Sequence, residues 1–198
     1  MTDLPNQITI PASLATYQIS PTAYITQHED KITHLVAGAI VFHNSRILLI
    51  QRSRQEIYEP LKWEVPGGSC EPTDETIIAS AVRELWEEAG LIATAMIDVV
   101  EDGHDWVDEW GGWRKITFVF EVEKTRGVAK GGLEEVEEAP EVKLDPTEHG
   151  DFTWVTEEEV KEGRKGWRVF SWISEEQKQT ILDAFELLRE GRRVMKAS

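Results

Sequence analysis

A mixed α/β fold, a sheet of strands sandwiched between helices, is what this sequence predicts, and three observations predict it. Leu35–Phe42 (LVAGAIVF) and Arg46–Ile50 (RILLI) are nearly continuous apolar runs, and the turn-forming His43-Asn44-Ser45 between them makes a central hairpin. A strong helical pattern ends at Gly90, with Ile77, Ile78, Ala81, Val82, Leu85 and Ala89 on one stripe. A second amphipathic helix, Ser174–Arg189, carries Ile181, Leu182, Phe185 and Leu188 near the end of the chain, capped by Ser174.

Residues 1–33 come first. They are mixed, with prolines at Pro5, Pro11 and Pro21 and no sustained periodicity, and read as an N-terminal extension that packs on the domain or is partly disordered. The domain is expected to span 34–190 and a tail 191–198. After the hairpin, Arg52 and Arg54 put two cations at a strand end, where they can meet phosphate. Thr73 or Asp74 can cap the first helix, with Glu75 in its first turn and Gly90 as a left-handed stop. Met96–Val100 reads as a strand. Asp102–Arg114 is a loop or hairpin tip rich in tryptophan, and Trp106 and Trp113 can stack on a base there or cap a core edge. His104 in the same stretch is expected to be structural. Lys115–Val122 (KITFVFEV) alternates, with Ile116, Phe118, Phe120 and Val122 on one face. Lys124–Pro146 is rich in Gly and Glu and reads as a long mobile loop. Phe152–Val155 is a short strand, and Thr156 with Glu159 opens a further helix as a capping box.

Within the first helix, Glu84, Glu87 and Glu88 fall together beside the apolar stripe, within an arc of about 100°. Exposed like charges at such spacing repel by a few tenths of a kcal/mol per pair. A helix seldom concentrates that repulsion at the edge of its buried face unless a cation relieves it. Hard divalent ions prefer oxygen ligands and are commonly held by a few carboxylates together with substrate phosphates. The residues alone therefore suggest a metal-binding helix.

The same stretch resembles the signature of the Nudix hydrolase family. Glu75 is followed by seven residues and then Arg83-Glu84-Leu85-Trp86-Glu87-Glu88-Ala89-Gly90-Leu91, and Trp63-Glu64-Val65-Pro66-Gly67-Gly68 is similar to the family's lead-in strand and turn. Six residues separate Gly68 from Glu75 where the family has five, and the extra residue is assigned to the loop. The resemblance implies a Nudix-type α/β/α sandwich with a mixed β-sheet. It also implies water attack on a nucleoside diphosphate linked to another group X, with Mg²⁺ or Mn²⁺ held by Glu84, Glu87, Glu88 and the backbone carbonyl of Gly67. Glu87 or Glu88 would handle the water proton, and Arg83 would orient Glu84 or pair with Glu75. Gly38 would let substrate approach the first strand. The run Glu134, Glu135, Glu137 and Glu138 lies where some members supply a base or a further ligand. Subfamily markers do not select a substrate. The proline of ADP-ribose hydrolases and the tyrosine of dinucleoside polyphosphate hydrolases are absent near Trp106, and Ile57 and Leu61 fill the Arg and Gly positions of the coenzyme A pattern.

Composition bounds the reading. The 198 residues allow one domain with a real core, and 40% apolar content is ordinary for a globular chain. A net charge of −16 argues against non-specific nucleic-acid binding and against anionic membranes. It would also repel a phosphate-bearing substrate, unless divalent ions invert the sign of the site locally. No signal-like start or membrane-length apolar run is present, and Cys70 is the single cysteine, so a cytoplasmic setting is expected. The partner expected is a small nucleoside diphosphate derivative, and a homodimer is allowed. Two rivals share the fold: an isoprenoid diphosphate isomerase, for which Cys70 is misplaced, and a non-catalytic nucleotide-binding or regulatory module, against which the intact Arg-Glu-x-x-Glu-Glu argues.

Overall fold

A fork between two strands organises the molecule. The computed structural model describes residues 8–29, 31–100, 103–128 and 135–197. Strand β1 (His34–His43) and strand β2 (Arg46–Arg52) form the predicted hairpin, turned by Asn44 and Ser45 at positive φ. They pair only at Phe42↔Ile47 and His43↔Arg46 before diverging. The Trp63–Ser69 segment fills the gap. Its β3 (Trp63–Glu64) pairs with β2 and its β4 (Gly67–Ser69) pairs with β1, while the Pro66 carbonyl accepts the Ala39 N–H at 2.8 Å. A side chain at Gly67, whose φ is 151°, would lie 2.5 Å from the Ala37 carbonyl oxygen, so the crossing requires glycine.

The sheet grows outward from this fork. Strands β5 (Ala93–Val99), β6 (His104–Asp108) and β7 (Gly111–Val122) lie on the β1 side, and β10 (His149–Val155) pairs with β2. The main path runs β10-β2-β1-β7-β5, with β1 and β7 parallel. The tryptophan-rich stretch is thus a hairpin; Asp102 at its start lies outside the described residues. Between them, β8 (Thr125–Val128) and β9 (Glu135–Glu138) form a two-stranded ribbon. This corrects the expectation of a structureless loop over Lys124–Pro146. Gly- and Glu-rich composition hid the strands, because backbone pairing needs no apolar alternation. Glu134 and the side chains of Glu135 and Glu137 lie outside the described residues.

Both faces of the sheet are covered, as near-continuous apolar strands require. One face sets Ala37, Ala39, Leu48, Ile116 and Phe118 against helix α2 (Ile77–Ala89), which contributes Ile77, Ile78, Ala81, Leu85 and Ala89. The 3₁₀ turn Ala12–Tyr17 adds Leu14 and Tyr17 to that core and helix α1 (Pro21–Gln27) packs Tyr24 and Ile25 against it, so this part of the extension packs on the sheet. The other face sets Ile40, Ile47, Leu49 and Val119 against helix α3 (Glu157–Glu162) and helix α4 (Glu175–Ala197), through Val160, Ile181, Ala184 and Phe185. Alternation along each strand divides the two cores.

Helix ends follow their caps. The Thr156–Glu159 capping box is complete, and Gln177 N–H donates to Ser174 Oγ at 3.1 Å. The α4 backbone continues past Arg189 to Ala197. Helix α2 begins later than expected: its N-cap is Thr76, whose hydroxyl accepts the Ala79 N–H at 3.0 Å, and Glu75 lies outside the helix. Gly90 closes it in the left-handed conformation at φ 67°. Among the described residues no helix is long and apolar enough to cross a membrane.

Candidate active site

Helix α2 lays its acidic edge against the glycine turn of the fork. The Gly67 N–H donates to Glu88 Oε2 at 2.7 Å, which fixes one carboxylate to the crossing strand. A Cβ on Gly68 would fall 2.7 Å from the Glu84 carboxylate, so this backbone passes the acid with no room to spare. Glu84 and Glu88 are buried, while Glu87 is half-exposed. Arg83 Nη1 donates to Glu84 at 2.7 Å and to Glu87 at 2.9 Å, and Nη2 reaches the Ser69 carbonyl.

The acid facing Arg83 from the loop is Asp74, bound through Nε and Nη2 at 3.1 Å each. The expected Arg83–Glu75 pair is therefore corrected to Arg83–Asp74, and Glu75 is exposed. Asp74 also accepts the Glu71 N–H, so it holds the loop and cannot cap the helix. Cys70 nearby is inert, its thiol pushed up to about 12 by burial.

Three further residues that sequence reasoning missed join the cluster. Glu64 enters from β3, 3% exposed, and accepts a hydrogen bond from Arg52 Nη1 at 3.0 Å. Glu148 and His149 enter at the start of β10, 1% of His149 being exposed. Asp145 shapes that entry: its carboxylate accepts from Thr147, and its carbonyl accepts the His149 N–H at 2.8 Å. A register shift between His149 and Asp151 then re-aims the strand. His149 Nε2 lies 3.6 Å from Glu64 Oε1 and 3.7 Å from Glu88 Oε1, close polar approaches rather than hydrogen bonds. Ligand atoms of Glu88, Glu148 and His149 lie within 4.8 Å of one another, a group able to hold a metal ion. One signal was readable: Glu64 interrupts an otherwise apolar stretch, Trp63-Glu64-Val65.

Burial and like charge shape the protonation of these acids. Burial drives the Glu88 carboxyl well above its ordinary value, and the neighbouring Glu64 and Glu84 add to this against the Gly67 N–H. Burial also raises Glu84, with Arg83 pulling the other way. Burial would raise Glu64 too, but His149, Lys115 and Arg52 outweigh it and hold that carboxyl low. An acidic cluster so poised accepts positive charge readily.

Two cavities open beside the cluster. The first, of about 530 Å³, is lined by Glu64, Gly67, Lys115, Tyr58, Trp106 and Gln177 among others. The second, of about 500 Å³, lies among His34, Arg52, Tyr58, Trp106, Trp110 and Trp113. Trp106 and Trp113 pair across the β6–β7 hairpin with rings 5.7 Å apart and nearly parallel, and His34 and His104 extend the stack at its two ends. Arg52 faces the second cavity, yet Nε, Nη1 and Nη2 hold the Tyr58 carbonyl, Glu64 and Glu56. Gly38 sits opposite Gly67, and Lys115 and Thr117 fill the space a side chain would take.

A two-faced mixed sheet, a glycine crossing and a carboxylate-edged helix together define a Nudix fold, and the NUDIX domain family model matches residues 32–174. The chain belongs to that family. Among curated relatives it is 32% identical over 101 residues to the 8-oxo-dGDP phosphatase NUDT18 of Mus musculus, covering 50% of this chain and 28% of that one. The chain spans less than a third of the length of the curated relatives it matches. The MutT protein of Methanosarcina mazei Go1 superposes with a TM-score of 0.54 at 22% identity, covering 82% of this chain and 97% of that one. The NUDIX domain of Shewanella oneidensis NrtR, solved with ADP ribose, superposes with a TM-score of 0.54 at 17% identity, covering 90% and 99%. These two similarities concern the fold.

Proposed function

We propose that the protein is a divalent-cation-dependent hydrolase cleaving the diphosphate linkage of a nucleoside diphosphate joined to a group X. The observation that carries it is the convergence of Glu84 and Glu88 with the Gly67–Gly68 turn at a point where Glu64, Glu148 and His149 also arrive, with Glu87 tied to Glu84 through Arg83. Two buried, mutually repelling carboxylates with raised proton affinity fit a cation better than they fit a solvated face.

In this reading Glu84, Glu87 and Glu88 hold the cation, with the Gly67 carbonyl as a further ligand. A divalent ion supplies neutralisation of the diphosphate oxygens and a lowered pKa for the attacking water. Arg83, tied to Asp74 and Ser69, keeps Glu84 and Glu87 aimed. The water oxygen bonds to one phosphorus, the bridging P–O bond breaks, and its electron pair leaves with the departing phosphate. Glu87 or Glu88 takes the water's proton. Lys115, beside Glu64 in the first cavity, is placed to meet a substrate phosphate, and Trp106 and Trp113 line the second cavity, within reach of a base. Arg52 holds the Tyr58 loop against Glu64.

The test is release of phosphate or nucleoside monophosphate from a panel of nucleotides with Mg²⁺ or Mn²⁺, with and without chelator. The panel includes 8-oxo-dGDP, because one relative is named for it, and ADP-ribose. Chelator-sensitive release is expected. No release across the panel favours a binding module, and release that ignores chelator removes the cation from the mechanism. Glu87→Gln and Glu88→Gln should each keep the fold by circular dichroism and lose about 10²-fold or more of turnover. Near-normal turnover in either removes these residues from the mechanism.

A further inference from the structure

We propose that His149 is a nitrogen ligand of the cation site, and that it biases the site toward first-row transition ions such as Mn²⁺ over Mg²⁺. The inference rests on reading the cluster as a cation site. His149 is 1% exposed, yet neither ring nitrogen has a hydrogen-bond partner. Buried imidazoles are normally satisfied, so an unbonded Nδ1 and an Nε2 that only approaches two carboxylates, at 3.6 and 3.7 Å, point to an occupant. Nε2 is 3.7 Å from Glu88 Oε1, and the Glu148 carboxylate completes a group within 4.8 Å. Metal–ligand bonds of about 2.0–2.2 Å place neighbouring ligands on one ion at about 3–4 Å, close to this spacing.

Availability of the donors agrees. Glu88 spends Oε2 on the Gly67 N–H, which leaves Oε1 directed to the His149 side. Glu148 is exposed, so an ion can enter from solvent over that carboxylate. The Asp145 turn and the β10 register shift hold His149 in place without using its ring. Mg²⁺ takes oxygen ligands in a strict octahedron, whereas imidazole affinity rises along the transition series. One nitrogen among carboxylates therefore shifts preference away from Mg²⁺. The rival role for this ring is a charged counter-ion between Glu64 and Glu88, which would repel a cation.

Pulsed electron paramagnetic resonance on the full chain, nucleotide-free with one equivalent of Mn²⁺, distinguishes the two. A ¹⁴N modulation from directly bound imidazole is expected, replaced by the ¹⁵N pattern when histidine is ¹⁵N-labelled. In His149→Gln the modulation disappears, and calorimetry shows Mn²⁺ affinity down at least about tenfold while Mg²⁺ affinity changes by less than about threefold. Bound Mn²⁺ without nitrogen modulation in the wild-type protein overturns the proposal, whether or not the variant folds, as does equal loss of both ions in the variant. Chelator-sensitive hydrolysis alongside that null spectrum leaves the hydrolase reading standing. Failure to take up Mn²⁺ at all sinks both.

Discussion

Glu88 shows how a single side chain is tuned by what surrounds it. Its carboxyl holds a proton more tightly in the folded chain than in the unfolded one, through burial first and Glu64 second. A raised folded value stabilises the fold fully below the ordinary carboxylate value, and that contribution is lost as pH rises through the folded value. Glu88→Gln escapes the loss and can still accept the Gly67 N–H. With chelator present, its melting temperature should match the wild type near about pH 4 and exceed it near about pH 8, by roughly 2–4 °C per kcal/mol. A pH-independent difference between the two melting curves would contradict the assigned cause. Trp106 tests the opposite kind of contact, one proposed with substrate. If a base stacks there, Trp106→Ala should raise KM about fivefold to a hundredfold with kcat nearly unchanged, since such stacking is worth about 1–3 kcal/mol.

Among the elements, helix α2 carries most of the proposed site, and its boundary turned on one competition. Thr73, Asp74 and Thr76 are all good caps by residue type. Arg83 draws Asp74 away as an ion-pair partner, leaving Thr76 to accept the Ala79 N–H. Thr76→Ala should cost about 1 kcal/mol and lower the melting temperature by roughly 2–4 °C, with turnover kept. A thermal scan paired with a turnover assay checks both halves. The β6–β7 hairpin is the second such element. Trp106 opposite Trp113 and Asp105 opposite Arg114 knit it, the latter as a bidentate ion pair at 2.6 and 2.7 Å, so the tryptophans are presented on a rigid ribbon.

At the scale of the molecule, two cores flank the sheet, one on each face. Helix α4 closes one of them, with Phe185 4% exposed and edge-on to Phe42. Phe185→Ala should destabilise the protein by about 3–5 kcal/mol, measurable by urea unfolding. On the proposed reading, the excess of acid across the chain suits an anionic substrate met at a cation rather than over a basic surface. The sequence by itself determined the central hairpin and the strands at Met96, Lys115 and Phe152, the apolar stripe of α2, the caps at Thr156, Ser174 and Gly90, and the Arg83–Glu88 cluster. All of these are set by periodicity or spacing within a few turns of chain. Only the tertiary structure decided that Arg83 meets Asp74, and that Glu64, Glu148 and His149 reach Glu88. Those contacts cross a fork, a loop and up to 85 residues between Glu64 and His149. No local pattern encodes such meetings; the splay of β1 from β2 and the shift in β10 create them.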